Sequence, residues 1–78
     1  AVTMGRAKEN SIRISDRFAS AQHAIIFLKN GRRILRDRGS TNGTTRNGKR
    51  IAGEVALNNG DIVGVGTVLL EYRSDGTS

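Results

Sequence analysis

The side chains in this sequence that could do chemistry are few, and they suit holding an anion better than transforming a substrate. There is one histidine, His23, and no cysteine, so thiol catalysis, disulfide staples and thiolate metal sites are excluded together. A single histidine without an acid placed to orient it makes neither a metal site nor a Ser-His-acid triad. The abundant polar group is instead the guanidinium. Lys and Arg number 13 against 7 acids, for a formal charge of +6, and arginine far outnumbers lysine. Its planar fork of donors matches phosphate or carboxylate oxygens, which favours an anionic partner. On charge alone, a basic surface with no special ligand explains the balance equally well. What singles out particular residues is their company: Gly5-Arg6, Ser20-Ala21-Gln22-His23 and Gly39-Ser40-Thr41-Asn42-Gly43 each gather donors beside small residues.

Such residues need a frame to position them. Seventy-eight residues make at most one domain with a thin core, burying roughly 60% of the surface exposed when unfolded. There is no proline. Asn-Gly steps punctuate the chain at 30–31, 42–43, 47–48 and 59–60, and these are strong signals for tight turns, since both residues tolerate positive φ. Between them lie short runs of aliphatic and β-branched residues, which predict strands over 2–4, 11–14, 24–29, 32–37, 44–47, 62–65 and 68–73, with two very short ones at 49–51 and 55–57. Ile12 and Ile14 share one face with Arg13 on the other, and Ile34 and Leu35 alternate among Arg32, Arg33, Arg36 and Asp37. No segment carries apolar residues at helical spacing without a glycine interrupting. Many short strands at close spacing predict an all-β sandwich or barrel. The three chemically interesting stretches fall in the irregular segments 6–10, 15–22 and 38–43, and loops on a rigid scaffold are where binding usually lives. No apolar run approaches the length of a membrane span and no start resembles a signal peptide. A first residue Ala1 without an initiator Met fits a segment of something longer.

In order and spacing these residues resemble the forkhead-associated (FHA) family pattern: Gly-Arg, Asn-x-Ile, Ser-x-x-His, Asp-x-Gly-Ser-x-Asn-Gly-Thr, Asn-Gly, then Leu-x-x-Gly-Asp. Here they are Gly5-Arg6, Ser20 to His23, Gly39 to Gly43, Asn47-Gly48, and the run from Leu57 to Gly66. The resemblance covers the chain from Gly5 to Tyr72, and such pieces in register are far more specific than any one of them. It implies an all-β, FHA-like (SMAD/FHA) β-sandwich of short antiparallel strands, with the domain over 1–73 and a flexible tail over 74–78. It further implies a module that reads phosphothreonine in partner proteins downstream of a Ser/Thr kinase, through loops at one end. A phosphothreonine carries about −1.5 to −2 charge and three acceptor oxygens. By resemblance Arg6, Ser20 and Thr41 hold the phosphate, Ser20 through its hydroxyl and backbone N–H. A charge-assisted bond such as that of Arg6 is worth roughly 1.5–3 kcal/mol. Asn42, with an amide donor and an acceptor, orients the peptide backbone. Asn47 ties two loops and brushes the peptide. Gly5 and Gly43 let the backbone turn tightly, and His23 buttresses the loop. An arginine-rich rim of Arg17, Arg38, Arg46 and Lys49 predicts tolerance for acidic flanking residues. The expected setting is cytoplasmic, with no cofactor, no metal and no catalytic residue.

Two departures from the family pattern stand out. Where the family often carries Arg, Lys or Asn after the binding-loop serine, this chain has Ala21, and the loss of that donor is expected to weaken binding or to shift the work to Arg17 or Lys8. In addition, only four residues precede Gly5, whereas the family usually places one or two strands there, beside the last strand. The stretch from Val68 to Arg73 is therefore expected to form an open apolar edge, a template for dimerisation or strand exchange. The competing function is a phospho-independent structural or assembly module on the same fold. A nucleic-acid-binding barrel fits the charge, but Phe18, Phe27 and Tyr72 are too few and scattered to stack bases. No general acid–base pair suggests an enzyme.

Overall fold

Alternating side chains and Asn-Gly turns build two facing sheets. The computed structural model describes residues 1–74. Its nine strands are β1 (Val2–Gly5), β2 (Ile12–Arg13), β3 (Ala24–Lys29), β4 (Arg32–Asp37), β5 (Thr44–Arg46), β6 (Lys49–Arg50), β7 (Glu54–Ala56), β8 (Ile62–Val65) and β9 (Val68–Glu71). One sheet has the order β2-β1-β3-β4-β7 and the other β6-β5-β8-β9. All nine expected strands are present, with β3, β4 and β8 at the expected bounds and the others shifted by a residue or two at their ends.

Of the four Asn-Gly steps, two are hairpin turns in which both residues have positive φ: Asn30 (53°) with Gly31 (77°), and Asn47 (52°) with Gly48 (83°). They fix the registers Lys29↔Arg32 and Arg46↔Lys49 and thus which side chains face inward. At 42–43 and 59–60 only the glycine has positive φ, and the chain forms wider loops.

The core follows from those registers. Ile26, Leu35 and Val55 stand side by side across β3, β4 and β7, facing Val63, Val65, Val68 and Leu70 of the opposite sheet; Leu35 and Val65 are fully buried. Phe27 and Ile34 pair on the outer face, where the Arg36 guanidinium lies 4.9 Å from the Phe27 ring centre, held by Glu54 at 2.9 Å.

One pair departs from the antiparallel reading: β2 runs parallel to β1, with Met4 opposite Ile12. Residues 6–11 carry the chain back across the end of β1, so β2 starts again in the same direction, and Ile14 N–H closes on Gly5 O at 2.7 Å. The expected tail lies outside the described residues over 75–78, and its first residue, Ser74, is tied down by donating to Asn59 Oδ1 at 2.9 Å. Among the described residues, strand β9 pairs with β8 alone. Beside it a groove of about 650 Å³ opens between the sheets, lined by Val2, Met4 and Ile12 on one side and Leu70 and Tyr72 on the other.

Candidate functional site

Strands β1, β3, β4 and β5 all have an end at one pole of the sandwich, where they emit the loops 6–11, 14–23 and 38–43. The second loop is the hub. Arg6 N–H donates to Ser20 O at 2.9 Å and Ala7 N–H to Ala21 O at 3.2 Å, which docks the Gly5-Arg6 turn against it. Ala21 is exposed and offers only its backbone here. The docking needs Gly5, because an added Cβ would lie 2.8 Å from Asn10 Nδ2 and from the Ala21 carbonyl carbon. Asn10 Nδ2 bridges Ala7 O and Ala21 O at 2.8 and 2.7 Å.

The third loop is joined to the same hub. Thr41 N–H donates to Ser20 Oγ at 3.1 Å, and Asn42 Nδ2 to Phe18 O at 2.8 Å. Within it Asp37 acts as the local template. Its Oδ2 accepts from Gly39 N and Ser40 N at 3.0 and 3.1 Å. Its Oδ1 takes the hydroxyls of Ser40 and Thr44, the latter at 2.7 Å. Burial pushes the Asp37 carboxyl up, but these hydroxyl and N–H donors outweigh it and hold the group below its ordinary value. Ser40 Oγ in turn accepts from Gly43 N at 2.9 Å.

His23 clasps the assembly from beneath. It is fully buried. Ser20 N–H donates to Nδ1 at 3.0 Å, so the proton sits on Nε2, which donates to Gly43 O at 2.7 Å. The backbone of the same residue bonds Met4 O and Arg38 N, each at 2.9 Å. One residue thus touches β1 and the second and third loops. A fourth tether comes from Asp16, whose carboxylate accepts from Thr67 N at 2.7 Å and Thr67 Oγ1 at 3.0 Å. The Thr67 N–H holds that carboxyl below its usual range.

The result is a cluster of Arg6, Ser20, Thr41 and Asn42 at one pole, facing outward on exposed or half-buried residues. Arg6 Nη1 reaches Arg17 O at 3.4 Å, and the Arg17 guanidinium lies 5.3 Å from the Phe18 ring centre. One detail is corrected. The Ser20 backbone N–H is engaged by His23, and the Ser20 hydroxyl already accepts from Thr41, so what Ser20 offers outward is its O–H proton. Asn47 lies at the far end of β5 from Asn42. Its side chain donates to Asp61 Oδ1 at 3.1 Å and accepts from Ile62 N at 2.9 Å, tying the β5–β6 turn to the β7–β8 loop. Asp61 also accepts from Asn58 N at 2.8 Å, the largest reason its carboxyl is held low.

Sequence reasoning did not single out Asp37, Asn10 or Asp16 as supports, although Asp37 and Asn10 stand in the quoted pattern. It also passed over Arg50. The two-residue strand β6 returns alongside β5, with Ile51 N on Thr44 O at 2.9 Å, and lays the Arg50 side chain on Gly43. An added Gly43 Cβ would lie 2.8 Å from Arg50 Cζ, at a φ of +82° that already favours glycine. Only the hairpin register could have placed Arg50 there.

Comparison with known proteins agrees with this fold. The FHA domain family model matches residues 2–66. The chain is 40% identical over 77 residues to the ABC transporter ATP-binding/permease protein Rv1747 of Mycobacterium tuberculosis, covering 99% of this chain. It spans only 9% of that protein's length. It superposes on Mycobacterium tuberculosis EmbR in complex with a low-affinity phosphopeptide with a TM-score of 0.90 at 28% identity, covering 99% of this chain and 21% of EmbR. A domain solved in a structural and functional analysis of phosphothreonine-dependent FHA domain interactions gives 0.86 at 30% identity, covering 94% of this chain and 75% of that one.

Two outcomes follow from the supports. Replacing His23 by Ala leaves Ser20 N–H and Gly43 O unpaired around a cavity, so urea unfolding should show a loss of about 2–5 kcal/mol. Asp37 has a depressed pKa in the folded state, so its contribution is present above the unfolded value of about 3.9 and lost as pH falls through the folded one. Asp37→Asn should therefore be less stable than the parent at pH 7, with the gap closing in acid. A gap constant down to the acid limit would assign the loss to shape instead of charge.

Proposed function

This chain belongs to the FHA domain family, and on that footing we propose that it is a phosphothreonine-binding interaction module. It recruits partners marked by a Ser/Thr kinase, on the intracellular side, and its binding unit runs over residues 1–73. The observation that carries the reading is the convergence of three loops, distant in sequence, on Ser20: Arg6 N–H on its carbonyl at 2.9 Å and Thr41 N–H on its hydroxyl at 3.1 Å. A phosphate set between them meets the Arg6 guanidinium and the hydroxyls of Ser20 and Thr41, a charge-assisted donor set suited to a dianion. Asn42 keeps Oδ1 and one amide hydrogen for the peptide backbone, its other hydrogen being on Phe18 O. Asn47 serves the reading by fixing the β5–β6 turn, and Ala21 through its carbonyl, which docks the first loop. The phosphothreonine-dependent FHA interactions and the EmbR phosphopeptide complex support the ligand class.

The same proposal includes an assembly role for the open edge from Val68 to Arg73, through dimerisation or strand exchange. Its support is that, among the described residues, β9 pairs with β8 alone and borders a partly apolar groove that an added strand would cover.

Titration with matched peptides carrying phosphothreonine, phosphoserine or threonine should rank them in that order, with unmodified threonine silent. Arg6→Ala should weaken phosphothreonine binding about tenfold or more; an unchanged affinity would remove the reading. For the edge, light scattering should show mass rising with concentration, and a monomer at every concentration would end that part.

A further inference from the structure

The basic surface beside the site is not uniform. Most arginines near this pole already have a partner: Arg13 Nε donates to Arg6 O at 3.2 Å, Arg38 Nη1 to Gln22 Oε1 at 3.1 Å, and Arg17 lies over Phe18. Arg50 differs. Among the described residues it makes no ion pair or side-chain hydrogen bond, and it is exposed. Yet its position is set, because its guanidinium lies against Gly43, the residue after Thr41-Asn42.

Arg50 also forms one wall of a hollow of about 400 Å³ between β6 and β7. Lys49 and Arg46, toward the Asn47 end of β5 and β6, supply two further cations, Ile51 and Val55 supply apolar wall, and no carboxylate lines it. Arg46 is half-buried and braced by donating to Ala56 O at 3.0 Å. Glu54, the residue before Val55, is engaged by Arg36 and Lys29. Three cations around a recess with no internal anion raise the local potential for a negatively charged side chain.

We propose that this hollow is an acidic subsite, in which Arg50, with Lys49 and Arg46, reads an Asp or Glu of the ligand near its phosphothreonine. The proposal rests on the phosphothreonine reading. A peptide whose backbone is gripped by Asn42 passes Gly43 and hence the Arg50 guanidinium, whose fork suits a carboxylate. The interaction is solvent-facing, so it selects among phosphopeptides and does not replace the phosphate contact.

The test titrates this chain with one phosphothreonine peptide flanked by alanines, and with variants carrying a single Asp at each flanking position in turn. At one or two adjacent positions Asp should tighten binding about three- to tenfold, and the gain should shrink with added salt. Arg50→Gln should erase that gain while leaving the all-alanine phosphopeptide within about twofold. Arg32→Gln removes the same charge at the opposite pole and should leave the gain intact. An Asp gain that survives Arg50→Gln, or falls equally with Arg32→Gln, overturns the subsite while the phosphothreonine reading stands. No binding of any phosphothreonine peptide overturns both.

Discussion

A neutral imidazole with both nitrogens engaged is the constraint on which this site depends. His23 accepts from Ser20 N–H at one nitrogen and donates to Gly43 O at the other, in a place with no water-facing surface. Neither bond is optional, because an unpaired polar group so deep costs most of its desolvation energy. The ring therefore sets how far apart the second and third loops stand, and the backbone of His23 ties the same point to β1 and to Arg38. Arg6 and Thr41 are set directly against Ser20, through its carbonyl and its hydroxyl, and Ser20 is in turn set by this anchor.

The rest of the architecture serves that anchor. The β-sandwich delivers the ends of four strands to one pole, and the loops between them are shaped by carboxylates and Asn10 together with the buried Ile14 and Ala19. Asp37 organises the third loop and Asp16 fastens the second to the β8–β9 turn. The acids at this pole are thus largely consumed internally, while the arginines remain outside. That separation leaves the pole basic even though both signs of charge are present locally.

Much of this was legible in the residues. Strands β3 and β4 were readable to the residue because Asn30-Gly31 is a true two-residue turn between alternating runs. The Gly-Arg, Ser-x-x-His and Ser-x-Asn-Gly pieces named the cluster because their spacing is fixed by that turn chemistry and by the length of the strands. Other features were hidden for physical reasons. The parallel pairing of β2 rests on two residues, too short for a periodicity to reveal direction. The Asn-Gly steps at 42–43 and 59–60 look like the hairpin turns, but neighbouring carboxylates hold them as loops. Which donors stay available was also invisible. Ser20 N–H points inward to His23, a fact that depends on tertiary placement. Arg50 became relevant only through the register of a two-residue strand.

The tethering of the three loops at this pole has a kinetic corollary. With those loops already held in place, an encounter of the proposed kind involves little conformational search, and a net-positive molecule attracts a dianion from a distance. Arrival rates should then be much alike for related ligands, and preference among them will be expressed in residence time, through how quickly each one leaves.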